Sequence, residues 1–281
     1  MSARSFIGEC RAYLAARTLE SARLVRAVWK VEYALGWQYA HTRVASDSPV
    51  LREFVLIECE GIGSCHQEVV GPSLLDHDCI GRDALGLLDF PLSYQIAALD
   101  AVAARLLPTP DDETKLLGSG AERLAVRSDI IVGEVRRVVA RQCGSSHPVN
   151  VVVIGALDSV IRGLLRIDGI RVRAADANPA VVGRRFHGVV INSANETLRL
   201  VEQSDVAVVT GMVIATETYD DVIAAAKSSG SHIVMFSQTG ANLIEPMRAT
   251  GVNVIISESY PFCFTGVGET WLRVYRSPAG Q

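Results

Sequence analysis

The sequence predicts an α/β protein: a Rossmann-like parallel sheet preceded by a smaller α+β domain. Three observations carry this. The apolar runs Val149–Ile154, Ile170–Ala175 and Asp205–Val209 are rich in β-branched residues, and each leads into a turn of small and polar residues. Helix-like segments separate them, an alternation that marks strands of a parallel sheet. Finally, Pro108-Thr109-Pro110-Asp111-Asp112-Glu113 cannot continue a helix and reads as a linker. With 281 residues, 49% of them hydrophobic, the chain has material for two cores. The expected division is an N-terminal α+β domain over 1–112 and a Rossmann-like domain over 119–281.

From the start of the chain, residues 5–35 read as helical. Leu24, Val28, Val31 and Leu35 are spaced by four, three and four, which places them on one helix face. Trp37–Val44 and Val50–Glu58 have strand composition, joined across the turn-forming Ala45-Ser46-Asp47-Ser48-Pro49. The second has no cleanly apolar face. Residues 60–89 read as irregular, punctuated by Gly61, Gly63, Gly71, Gly81 and Gly86. Leu92–Leu107 is helical, with Pro91 suited to its first turn.

In the second half, Ala121–Cys143 carries a helical stripe of Leu124, Ile131, Val135 and Val138. It feeds the strand Val149–Ile154, which is followed by the helix Leu157–Arg166. Beyond the third strand come a helix over Thr218–Ser229, a strand over His232–Phe236, a helix over Ala241–Thr250 and a strand over Val252–Ile256. Trp271–Tyr275 is expected as a final edge strand. The loops are short, as in α/β units.

The bulk numbers exclude some functions. A net charge of −4 gives no global basic field, so no nucleic-acid partner is expected. No run approaches the ~20 apolar residues of a membrane span, and the N-terminus lacks a signal-peptide core. A cytoplasmic setting is the expectation. Six scattered cysteines without a CxxC pair are expected as thiols.

Ligands of a parallel sheet sit beyond the carboxyl ends of its strands. The first such turn is Gly155-Ala156-Leu157-Asp158-Ser159. A dinucleotide fingerprint needs several glycines so that amides can approach a pyrophosphate; only Gly155 is in place, and Asp158 would set a carboxylate against the phosphate. Asp176, in Asp176-Ala177-Asn178-Pro179, fits an acid accepting ribose hydroxyls. A nucleoside without a pyrophosphate, such as S-adenosylmethionine, satisfies both. A scaffold with Asp176 capping a turn is the competing reading. Thr210-Gly211, with Thr216 and Thr218 downstream, and Ser237-Gln238-Thr239-Gly240 give the same edge a neutral, anion-friendly rim, or simply helix caps. The candidate cofactor-binding residues are therefore Gly155, Asp158, Asp176, Asn178, Thr210, Gly211, Ser237 and Thr239. His187 lies beyond the second strand, either facing the pocket or solvated. Tyr260-Pro261-Phe262-Cys263-Phe264 offers an aromatic wall, or core packing.

A second cluster lies at Cys59–Cys79. Its candidate metal ligands are Cys65, His66, His77 and Cys79, soft donors in a glycine-rich loop. The spacing matches no usual zinc signature, and buried cysteines acting as small hydrophobes are the competing reading. No nucleophile elbow, phosphate loop or H-E-x-x-H motif occurs.

Val151–Gly155, Asp176-Ala177-Asn178-Pro179, Asp205–Gly211 and Ser237-Gln238-Thr239 together resemble, in order and spacing, a family of unknown function described as putative heavy-metal chelation. The resemblance covers about Ala121–Tyr260. It implies a Rossmann-like domain behind a smaller α+β domain similar to the enolase N-terminal domain. It also implies that Leu88-Asp89-Phe90-Pro91-Leu92-Ser93 and the helix after it border a ligand cleft between the domains, and that the role is handling a metal or a metal chelator. The expected function is binding of a small molecule or metal chelate. The alternative is an S-adenosylmethionine-dependent transferase or cyclase in specialised metabolism. The cofactor would be S-adenosylmethionine or a divalent metal ion. A small-molecule ligand is the expected partner, and a homo-oligomer is left open.

Overall fold

The computed structural model describes residues 5–34, 51–67, 75–141, 147–263 and 268–278. The strand and turn expected over 37–49 lie outside them. The chain forms two compact units. One comprises Met1–Thr109 with Ile214–Thr216 and Gln238–Pro246; the other comprises Pro110–Val213, Glu217–Ser237 and Met247–Gln281.

The first unit carries α1 (Phe6–Ala15), β1 (Ala27–Ala34), β2 (Leu51–Glu58), β3 (Ile62–Gln67) and α2 (Leu92–Ala103). Ser5 caps α1, its hydroxyl accepting from the Gly8 amide at 3.3 Å. The helix expected over 5–35 thus ends at Ala15, and Ala27–Ala34 is a strand. Val28, Trp29, Val31 and Tyr33 favour a pleated surface, and pairing with β2 decides the matter: Val28 faces Ile57 and Lys30 faces Val55, antiparallel. Helical spacing of four apolar residues was a coincidence of composition. The mixed faces of β2 also have a cause, because Glu53 is buried with its carboxylate 3.2 Å from the Lys30 ammonium.

The segment expected as irregular contains β3, which completes an antiparallel sheet in the order β1-β2-β3. Its apolar signal is weak because Gly63 is there for another reason. A Cβ on Gly63 would lie 2.1 Å from both the Ala101 nitrogen and the Ala97 oxygen, so β3 and α2 pack backbone against backbone. The outer edge of β3 is covered by Gln238–Asn242. The Gly240 amide donates to the Ser64 carbonyl (3.0 Å), the His66 amide to Thr239 Oγ1 (3.0 Å) and Asn242 Nδ2 to the Ile62 carbonyl (3.1 Å). A strand edge left open is a template for aggregation, and this one is closed.

The second unit runs β4 (Asp112–Leu116), α3 (Gly120–Arg141), β5 (Val149–Ile154), α4 (Asp158–Leu164), β6 (Ile170–Asp176), β7 (Arg185–Phe186), β8 (Val189–Ser193), α5 (Thr197–Glu202) and β9 (Val206–Thr210). After α6 (Met212–Ala215) come α7 (Tyr219–Ser229), β10 (His232–Ser237), α8 (Ile244–Ala249), β11 (Val254–Glu258) and β12 (Thr270–Arg276). Its nine strands lie in the order β4-β12-β11-β10-β9-β5-β6-β8-β7. The six strands from β11 to β8 are parallel. Read from β8 to β11 and counted along the chain, they stand third-second-first-fourth-fifth-sixth, the Rossmann arrangement. Val149, Val151–Val153 and Val206–Val209 are buried, as strands covered on both faces require.

Two expectations change at the far side. Trp271–Tyr275 lies in β12 but is not an edge, because β4 pairs outside it. Asp112 and Glu113, expected in the linker, begin that outer strand. Among the described residues, no helix is long and apolar enough to cross a membrane.

Candidate functional site

Strand order reverses between β5 and β9, so the turns after these strands flank the position where such sheets bind ligands. Gly155 follows β5 with φ +84°, a conformation that suits glycine. A Cβ there would lie 2.4 Å from Thr210 Oγ1, at the end of β9. Gly155 is therefore glycine both for its positive φ and because Thr210 packs against it. Thr210 is 6% exposed, and its hydroxyl makes no hydrogen bond to the described residues. The neighbouring Gly211 amide donates to the Phe236 carbonyl at 2.8 Å.

Asp176, expected to hold a ribose, is engaged otherwise. Its Oδ2 accepts from the Ala156 amide and its Oδ1 from the Asn178 amide, both at 2.7 Å. The carboxylate ties the turn after β5 to the end of β6. Asn178 Oδ1 in turn accepts from the Ala180 amide at 2.9 Å. This is the turn-capping reading.

Asp158 opens α4 and is 9% exposed, facing His187. Carboxylate Oδ1 and imidazole Nε2 are 3.1 Å apart. The hairpin β7–β8 delivers the histidine. Phe186 pairs with Val189, leaving a two-residue turn in which His187 (φ 50°) and Gly188 (φ 94°) both have positive φ. This is the mirror-type turn that matches strand twist. Fully buried Phe186 anchors the hairpin beneath it.

Of the remaining predicted residues, Ser237 is fully buried at the end of β10. Thr239 belongs to the first unit, where its hydroxyl caps β3 rather than a ligand. Tyr260 and Phe262 meet edge to face with centroids 5.6 Å apart, and Phe262 is fully buried. A constellation that the sequence reading missed lies beside them. Arg127, from α3, stacks 5.0 Å above the Phe236 ring, with Nη1 3.6 Å from Cys263 Sγ and 3.9 Å from Glu258 Oε2. Glu258 also accepts from the Cys263 amide. Arg127 falls on the apolar stripe of α3 between Leu124 and Ile131, an out-of-place charge that could have signalled it.

The four candidate metal ligands are not brought together. Cys65 and His66 are successive residues of β3, so their side chains leave on opposite faces. His66 packs edge-on against Phe54 at 5.3 Å. His77 is exposed and Cys79 buried, in a single short turn. Burial pushes the Cys65 and Cys79 thiols up and the Cys59 thiol up to about 12. Among the described residues, no group of three or more His, Cys, Asp or Glu side chains could hold a metal ion.

One buried acid in the first unit also escaped the sequence reading. Asp100, within α2, is fully buried. Its Oδ2 accepts from the Ser64 amide (2.8 Å) and its Oδ1 from the Asn242 amide (2.6 Å). Burial pushes its carboxyl up to about 7, against the downward pull of the Asn242, Ser64 and Ala241 amides.

Residues 143–258 match the model of the family DUF364, described as putative heavy-metal chelation, which bears out the resemblance read from the sequence. Two solved structures of that family, both of unknown function, are similar. One, from Pyrococcus horikoshii, is 13% identical over 96% of this chain and 99% of its own, with a TM-score of 0.56. The other, from Desulfitobacterium hafniense DCB-2, is 10% identical over 95% and 98%, with a TM-score of 0.59. At these identities the likeness is one of fold. No curated protein matches the chain.

Proposed function

We propose that this protein binds a small ligand, a metal chelate, at the carboxyl end of its parallel sheet, in a cytoplasmic setting. The observation that carries the reading is the Asp158–His187 pair, 3.1 Å apart and beside the strand-order reversal. Carboxylate oxygen and imidazole nitrogen suit borderline divalent ions, and with bonds of about 2.0–2.2 Å two donors to one ion stand comparably close. Asp158 and His187 would hold the metal, which would supply a Lewis-acidic anchor for its other ligands. Two protein donors leave most of a coordination sphere to a chelator. The buried Thr210 hydroxyl adds a polar group near the same turn. The described chemistry of the matching family points the same way.

The test is thermal unfolding of the full chain with zinc or nickel ions, alone and with simple chelators. A ligand at 100 times its Kd adds about 2.7 kcal/mol, roughly 5–10 °C for units of this size. The expected result is a rise in Tm that is lost in Asp158→Asn and in His187→Ala. A rise that survives both variants, or none with any metal species, refutes the reading.

A further inference from the structure

We infer that the chelate bound at Asp158 and His187 is anionic, its carboxylate-like groups recognised by Arg162, Arg184 and Arg185; this rests on the reading above. Between Asp158 and Val190 the sequence has six arginines against three aspartates, in a chain whose net charge is −4. Two of those aspartates are engaged, Asp158 with His187 and Asp176 with two backbone amides. Arg166, Arg171 and Arg173 follow α4 or lie in the first half of β6, away from the carboxyl end of the sheet, so the charges at the site are Arg162, Arg184 and Arg185 against Asp158 and Asp176.

Its placement follows from the elements. Arg162 stands four residues after Asp158 on α4, one turn along the same side of the helix. Arg184 precedes and Arg185 opens β7, the strand that leads into His187 and packs against α4. Arg162 and Arg185 are exposed and Arg184 half-buried. Arg162 and Arg184 have no ion pair with any described residue, and Arg185 Nη1 donates only to the Gly188 carbonyl at 3.1 Å. Arg273 and Arg276 of the same unit are by contrast paired, Arg273 2.6 Å from Glu113 and Arg276 2.7 Å from Glu134. Three uncompensated guanidinium groups oppose the approach of a bare divalent cation and favour a complex whose ligands reverse its charge. The guanidinium fork matches a carboxylate in two parallel hydrogen bonds, which adds geometry to charge.

Calorimetric titration of the full chain with zinc-nitrilotriacetate, which is negative, and zinc-tris(2-aminoethyl)amine, which is positive, tests this. The anionic complex should bind at least about tenfold more tightly, with a preference that shrinks as salt rises. The folded Arg162→Gln/Arg185→Gln variant, checked by its Tm, should bring the two near parity. Equal binding of the two complexes to the wild type, lost in Asp158→Asn, would overturn the anionic inference while leaving the metal site standing. A preference that persists in the double variant overturns the arginine assignment. Binding of zinc-free nitrilotriacetate but of no zinc species would support the arginines and overturn the metal reading. No binding at all overturns both.

Discussion

Asp100 makes the stability of the first unit depend on pH in a direction opposite to that of most paired carboxylates. Its carboxyl is raised from 3.8 to about 7 because burial outweighs three amide donors. The unfolded chain releases this proton near pH 4, whereas the folded chain keeps it to about pH 7. Between those values the folded state binds more protons, so the contribution of Asp100 is full below pH 4 and is lost as pH rises to 7. About three pH units at 1.36 kcal/mol each come to about 4 kcal/mol, an order-of-magnitude figure. The perturbation is Asp100→Asn, which cannot titrate. Its amide group must face one of the backbone N–H donors now served by a carboxylate oxygen, at a cost of about 1–3 kcal/mol. Urea unfolding followed by far-ultraviolet circular dichroism, from pH 4.5 to 8, reads the difference between wild type and variant and cancels the other titrating groups. The wild-type advantage should fall by a few kcal/mol across that range. A difference that is flat, or that grows with pH, would refute the reasoning.

Three further outcomes follow from packing and hydrogen bonding. Gly63→Ala drives a methyl to 2.1 Å from two backbone atoms of α2, so it should lower Tm sharply or abolish soluble expression, whereas Gly133→Ala, in α3 with nothing within 4 Å, should stabilise by about 0.5–1 kcal/mol in the same assay. Asp176→Ala leaves the Ala156 and Asn178 amides without their acceptor, at about 2–4 kcal/mol in urea unfolding; an unchanged midpoint would argue against its structural role.

Much of the fold was legible because buried parallel strands leave a dense signal: Val149–Ile154 and Val206–Thr210 are nearly all valine, isoleucine and alanine. β3 was not legible, because a strand that touches a helix backbone needs Gly63 where the pattern needs a branched residue. β1 was misread because Leu24, Val28 and Val31 satisfy helical spacing, while only its pairing with β2 distinguishes the two. At the site, chain order predicted the turns but not their bonds. The two local amides that Asp176 accepts from leave no trace in its spacing from Gly155. Asp158 and His187 lie 29 residues apart in the sequence, and a positive-φ turn brings them together. His187-Gly188 between Phe186 and Val189-Val190 was the available signal, since turns with two positive-φ residues favour a glycine.

The cap on β3 has a bearing on synthesis. Every donor and acceptor that closes that strand edge from Gln238–Asn242 leaves the ribosome after more than four-fifths of the chain. Until then β3 is an unpaired edge, and Asp100 lacks the Ala241 and Asn242 amides. The first unit to be translated therefore stays incomplete until most of the second has been made, against the usual order in which an N-terminal domain folds before the next emerges. A fragment ending near Thr109 would carry that unfinished edge permanently, so genetic dissection of this protein should join residues 238–246 to the N-terminal piece rather than cut where the sequence appears to offer a linker.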